Sequence, residues 1–331
     1  MSRRRKQVLA AITALCVGGG IVYLVLAALN PNQVTTDGRP LASGGTKLLG
    51  SQLMVRAVDR NDPQLNGRVF VVKGGKPQRL AGRELACERV YFAAGRGLCL
   101  ATAETGIDYE ATIFDSSLST LHQLPLAGVP SRARVSPDGR YGAMTVFVNG
   151  HAYLGAGGFS TATTIVDMRS GKQIGNLESF EVTKDGRPLD AVDFNFWGVT
   201  FAADSNRFYA TLRTQGHYYL LEGNLRERTM RVLRDRVECP ALSPDGTKIA
   251  YKSRIGSENR WRLKVLDLAT LRAHAVAERR PIDDQVEWLN DETLIYSDGL
   301  DVYTTSADGS GEPRLVLRDA SSPVALRGPI E

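Results

Sequence analysis

The chain has 331 residues, 43% hydrophobic and 23% charged, which are the proportions of a folded protein, and a formal net charge of +5. Arg3, Arg4, Arg5 and Lys6 supply four of those charges, so the remaining body is nearly neutral and carries no basic stripe of the kind that holds nucleic acid. Thirty-three glycines and 14 prolines against 7% aromatic residues describe a turn-rich chain that leans towards β-structure.

Residues 8–29 contain no charged side chain over 22 positions. A helix of that length spans about 33 Å, enough for the hydrocarbon core of a bilayer. The stretch is longer than the apolar region of about 7–15 residues in a cleaved secretory signal, although residues 25–27 would pass as a cleavage site. Leu15 before Cys16 does not suit a lipoprotein anchor, and Lys6 and Gln7 do not suit a twin-arginine signal. The expectation is a cytoplasmic basic tail (1–7), an uncleaved single-pass signal anchor (8–29) and everything beyond it outside the cytoplasm, in the cell envelope. Residues 30–47, rich in turn formers and poor in large apolar side chains, form the expected flexible linker.

Beyond residue 48 the chain repeats itself. "VSPDGRYGAM" (135–144) and "ALSPDGTKIAYK" (241–252) carry the same turn, each flanked by β-like runs. Proline fixes φ at the second turn position, aspartate bonds nearby amides, and glycine accepts the left-handed conformation. Looser copies follow: "FAADSNRFYA" (201–210), with Asn206 in place of glycine, "VEWLNDETLIY" (286–296) and "VYFAAGRGLCLA" (90–101). A second marker is a strand closing on aspartate: "ATIFD" at Asp115, "TTIVD" at Asp167, "LKVLD" at Asp267, with "YYLLEG" (218–223) as a variant. A fourth strand follows each unit. Four short antiparallel strands per repeat make the blade of a β-propeller, and strands such as "TTIVDM" are apolar on both faces because each blade is sandwiched between two others. Only the outermost strand should alternate.

Five turns give five blades, covering about 83–127, 130–180, 191–235, 237–278 and 283–318. "QLMVRAV", "GRVFVVKG" and "PQRLA" before them lack an innermost strand, and "SSPVALRG" (321–328) lacks a blade. Together they make a sixth blade, so the fold class is all-β: a six-bladed propeller of four-stranded antiparallel blades over residues 48–328, closed by a C-terminal strand and preceded by one transmembrane helix.

The repeat, above all "SPDGTKIAY" and "DGLDVYTTSADGSGEPRLVL" (298–317), resembles that of TolB-type propellers, also found in the propeller domains of prolyl oligopeptidases. The anchored layout is similar to TolB-like envelope proteins of Gram-positive actinobacteria. It differs from TolB in having a membrane anchor and in showing no small α/β domain before the propeller. The resemblance implies fold more than function, since propellers serve binding and catalysis alike.

No catalytic motif accompanies it. There is no G-x-S-x-G elbow, since "GGFST" around Ser160 lacks the second glycine. His122, His151, His217 and His274 never fall in a metal-binding spacing, so no metal, cofactor or catalytic residue is assigned. The oxygen-rich loop 59–67 would suit calcium or an ordinary hairpin. A channel enzyme or ligand binder, lactonase-like or carbohydrate-binding, would draw on Glu88, Asp190, Asp193, Asn195, Asp284 and Glu287.

In an oxidising compartment one pair among Cys87, Cys99 and Cys239 can bridge. Cys87 and Cys99 have a suitable spacing. If their hairpin turns near Gly95 and Arg96, however, Cys99 faces about Phe92 and Cys87 is about 15 Å away, beyond disulfide reach. Cys239 is expected to be a buried thiol.

Surface loops remain. The connections between second and third strands share a face with the starts of the innermost strands and are the most irregular segments, which is where binding usually lives. The candidate contact residues are Asp59, Asn61, Asp62, Asp108, His151, Tyr153, Phe159, His217 and Glu258. The expected role is a scaffold for an envelope protein or peptide, with the membrane reached through residues 8–29.

Overall fold

The structure, a computed structural model, describes residues 52–59, 62, 65–74, 76–79, 85–148, 160–256 and 260–327. The expected basic tail, signal anchor and linker lie outside them. Among the described residues no helix is long and apolar enough to cross a membrane.

The described residues form six sheets. In chain order, blade 1 takes Gln52–Ala57, Val69–Lys73 and Lys76–Arg79, with Ala320–Leu326 from the far end of the chain as its innermost strand. Met54 lies opposite Val324 across that seam. The innermost strands of blades 2 to 6 are Arg89–Ala93, Val129–Val135, Asn195–Phe201, Glu238–Leu242 and Glu287–Asn290. Each touches the innermost strand of the next blade, and the sixth touches the first, so the ring is closed.

The strands are apolar on both faces because both are buried. In Gln52–Ala57, Met54 packs with Val90 and Phe92 of blade 2, while Leu53 and Val55 pack with Ile295 and Val316 of blade 6. One apolar cluster fills each of the six gaps between neighbouring blades. At roughly 1.5–3 kcal/mol for each fully buried large apolar side chain, these clusters dominate the stability of the ring. The outermost strand of blade 2, Thr120–Leu126, alternates strictly between half-buried and exposed positions, as an outer strand should.

The two SPDG turns fold alike. Ser136 Oγ donates to Asp138 Oδ1 (2.6 Å) and accepts from Tyr141 N (2.9 Å), Asp138 Oδ1 accepts from Arg140 N (3.0 Å), and Gly139 sits at φ +71°. Ser243, Asp245 and Gly246 repeat the pattern. In the copy at blade 4 the glycine position is filled by Ser205 (φ +53°), one residue earlier than the expected Asn206. Asn206 N instead donates to Asp204 Oδ1 (2.9 Å).

Blade 4 departs from four strands. Glu181–Lys184 and Arg187–Pro188 form a hairpin, and the first of these strands pairs in parallel with Thr229–Asp235, giving a six-stranded sheet. Pro188 lies in the outermost strand, where its missing N–H leaves one donor fewer for another chain to pair with.

Candidate binding face

Topology sorts the connections onto two faces. Turns joining first to second and third to fourth strands lie on one, the turn face; loops joining second to third strands and blade to blade lie on the other, the loop face. Gln52 pairs with Leu326 at the turn-face end of blade 1, so both ends of the described chain leave from the turn face.

Side chains two apart on an innermost strand point the same way, and Arg89 with Tyr91, and Arg132 with Arg134, border the axial channel. Five of the six innermost strands carry a register shift that re-aims side chains near the axis. At one of them Gly198 (φ +66°) allows blade 4 to approach blade 5, where a Cβ would stand 2.7 Å from Cys239 Cα.

The channel is plugged halfway. Arg134 pairs with Glu287, both largely buried, and Tyr91 Oη donates to the same Glu287 Oε2 (3.0 Å) while Arg134 lies 4.5 Å over the Tyr91 ring. Burial raises the Tyr91 hydroxyl to about 12, keeping it a donor at neutral pH. Gln285 Nε2 donates to Pro240 O (2.9 Å) and Val199 O (3.3 Å), tying the neighbouring blades 4, 5 and 6 together near the axis.

Above the plug a cleft of about 410 Å³ opens on the loop face. One wall is a stack of cations and rings: Lys252 lies 4.5 Å over Trp261, and Arg254 lies 5.1 Å from Trp261 and 4.3 Å from Tyr218, which meets Trp197 edge-on at 6.1 Å. Glu238, almost fully buried, accepts from Trp261 Nε1 (3.0 Å) and pairs with Arg254 Nε (2.7 Å); Lys252 pairs with Asp283. The opposite wall holds two guanidiniums on one carbonyl: Arg89 Nε (2.6 Å) and Arg132 Nη1 (2.8 Å) both donate to Ser131 O. Burial pulls the Arg89 guanidinium below its ordinary value; Asp284 offsets part of this, and Arg132 and Arg56 add to it.

The loop face is also where apolar side chains are left in water. Of the eight large apolar residues exposed among the described ones, Ile107, Val129, Phe147, Val192, Ile255 and Leu300 lie on it. Ile107 and Val192 are 83% and 84% exposed. Such a collection on one face marks an interaction surface more often than scattered single residues do.

Of the candidates from sequence, Asp59, Asp62 and Asp108 occupy loops on this face, His217 begins a strand there, and none lines the cleft. Asn61, His151, Tyr153, Phe159 and Glu258 lie outside the described residues. His217 stacks on Tyr219 at 5.5 Å. The acids and the amide weighed for channel chemistry are spread among structural bonds: Asp193 accepts from Thr214 and Gln215, Asn195 accepts from Thr161 N, Glu88 pairs with Arg56 and Glu287 with Arg134. Among the described residues no group of three His, Cys, Asp or Glu side chains is placed to hold a metal.

Cys87 and Cys99 are joined by a disulfide with Cα atoms 5.4 Å apart. The expected register is corrected: the turn residues are Ala94 and Gly95, Cys99 faces Val90, and Cys87 precedes the strand. Cys87 N donates to Gly67 O, so the chain bends there from blade 1 towards blade 2 and swings the sulfur over Cys99. Cys239 is a buried free thiol.

No family model and no curated protein matches the chain. Solved structures do. TolB from Acinetobacter baumannii aligns with a TM-score of 0.61 at 14% identity, over 85% of this chain and 68% of that one. A chain of the nidogen/laminin complex aligns at 0.55 and 10% identity, over 83% and 98%. At these identities the likeness concerns the fold alone: this is a six-bladed β-propeller similar in fold to TolB.

Proposed function

We propose that this is a membrane-anchored, extracytoplasmic propeller that binds an envelope protein or peptide through its loop face, in the manner of an anchored actinobacterial TolB-like protein. The observation that carries the reading is the gathering of six exposed apolar side chains on one face, around a cleft lined by two tryptophans and four cations. Asp59, Asp62, Asp108 and His217 on the loop face would supply polar contacts around the apolar ones. The matching chain of the nidogen/laminin complex is a precedent for this fold within a protein–protein assembly.

Photocrosslinking residues placed at Ile107, Val192 and Leu300 in native membranes should capture a partner, and the same residues at Leu121 and Leu271 should not. Equal capture from both sets, or none from the first, would overturn the assignment. A second reading, a small-ligand binder or channel enzyme, draws on the two tryptophans in a cleft whose volume suits a small molecule. Stoichiometric metal, turnover of a lactone or saturable sugar binding by the purified protein would favour it over the scaffold.

A further inference from the structure

We propose that the cleft on the loop face receives the C-terminal carboxylate of a peptide, held between Arg89 and Arg132 with its last side chain against Trp197 and Trp261. The inference rests on the scaffold reading and names what such a partner presents.

Charge bookkeeping points to an anion. The other cations of the cleft and channel are matched: Lys252 with Asp283, Arg254 with Glu238, Arg134 with Glu287. Arg89 and Arg132 are not. Both converge on the neutral oxygen of Ser131, and neither has a salt-bridge partner among the described residues. Arg132 Nε is buried without a hydrogen-bond partner. Two guanidiniums brought together on one carbonyl repel each other, and a carboxylate bridging them would relieve that repulsion while taking the donors still available.

The same residues select the kind of anion. Asp284 is the nearby carboxylate not committed to a cation, so Arg89, Arg132 and Asp284 leave one positive charge, which a monoanion neutralises. Glu238 and Asp283 also border the cleft and would repel a doubly charged phosphate more strongly. The floor is closed by the Arg134, Glu287 and Tyr91 plug, with Gln285 tying blades 4 to 6 beside it, so the cleft accepts the end of a chain and not one passing through. Phe147, 40% exposed, and the parts of Trp197 and Trp261 that border the cleft offer the terminal side chain an apolar contact.

The test uses the full chain in detergent and two synthetic libraries of short peptides, one with free carboxyl termini and the other amidated. Retention of free-acid peptides with an apolar or aromatic last residue, lost on amidation, is expected. Arg89→Gln and Arg132→Gln should each weaken the best free-acid peptide about tenfold or more, in line with losing a charge-assisted hydrogen bond. Arg226→Gln, on the turn face, should leave it unchanged. Arg89→Lys and Arg132→Lys keep the charge without the planar fork and should give an intermediate loss, which distinguishes recognition from a folding defect. Equal retention of amidated peptides overturns the carboxylate proposal while leaving a protein partner in place. Retention of nothing from either library also overturns it, and the crosslinking result then decides the scaffold reading separately. Displacement of the peptide by inorganic phosphate at lower concentration than by acetate would overturn the choice of a monoanion.

Discussion

The two faces of this propeller are built from the same strands and obey opposite rules. On the turn face, Ser136, Asp138, Ser243 and Asp245 satisfy the backbone of their own turns, and the two SPDG copies repeat each other bond for bond. On the loop face the connections differ from blade to blade, leave Ile107 and Val192 in water, and crowd two guanidiniums onto one carbonyl. A propeller needs its turns to be self-sufficient because they close the blades. It can leave the other face unsatisfied because the clusters between blades hold the ring together without it.

The largest blow to that division would come at the plug, which belongs to neither face. Glu287→Ala leaves Arg134 buried without its counter-charge and removes the acceptor of Tyr91. The expected loss is about 3–5 kcal/mol in denaturant unfolding. A loss below about 1 kcal/mol would mean that the channel is wetter than the structure has it. Next comes the disulfide, the covalent tie where the chain passes from blade 1 to blade 2. Breaking the Cys87 to Cys99 loop, 12 residues apart, should cost about 3 kcal/mol, seen as a lower unfolding midpoint in reductant. The Cys87→Ser, Cys99→Ser variant should respond to reductant not at all.

Smaller effects separate the faces directly. Asp245→Ala removes an acceptor for Ser243 Oγ, Thr247 N and Thr247 Oγ1 and should cost about 1–2 kcal/mol of stability, with partner capture unchanged. Arg89→Gln and Arg132→Gln should do the reverse, staying within about 0.5 kcal/mol of the parent in unfolding while weakening binding. If turn variants impair binding as much as cleft variants, the two faces are not independent.

How much of this was visible in the sequence follows from the range of each interaction. The SPDG turns and the strands apolar on both faces are local patterns, so blade number, blade order and the seam of Met54 with Val324 could be read directly. The six-stranded blade could not. Residues 181–188 are polar and short, and their pairing with Thr229–Asp235 is a tertiary contact without local periodicity. The position of Cys87 failed for a related reason: extrapolating a straight strand ignored the bend imposed by Gly67 of blade 1. The cleft was hidden most completely. Arg89, Arg132, Trp197, Glu238 and Trp261 come from four blades, and each alone is an ordinary residue near a strand end. What could have raised suspicion is the pairing of arginines two apart at 132 and 134 in a strand otherwise fit for burial.

The smallest expected effect concerns acid and falls on the turn face. Asp115 is held below its ordinary value by the Ser117 hydroxyl and the amides of Ser119 and Ser117, Asp267 by the hydroxyl and amide of Thr270, and Asp308 by Ser306 and Ser310 down to about 2. All three close turns between third and fourth strands. A carboxylate whose folded value is depressed contributes stability that is complete above its unfolded value of about 4 and disappears as pH falls through the folded one. The unfolding midpoint should therefore be flat from neutrality to about pH 5 and decline between about pH 4 and pH 2. Asp308→Asn should shallow that decline at its acidic end, since the amide cannot take up the proton whose binding weakens the turn. Peptide capture measured at pH 5, above this window, should match that at neutrality if the acid response belongs to the turns. A parallel loss of binding and stability at pH 5 would show that the acid response is not confined to the turns.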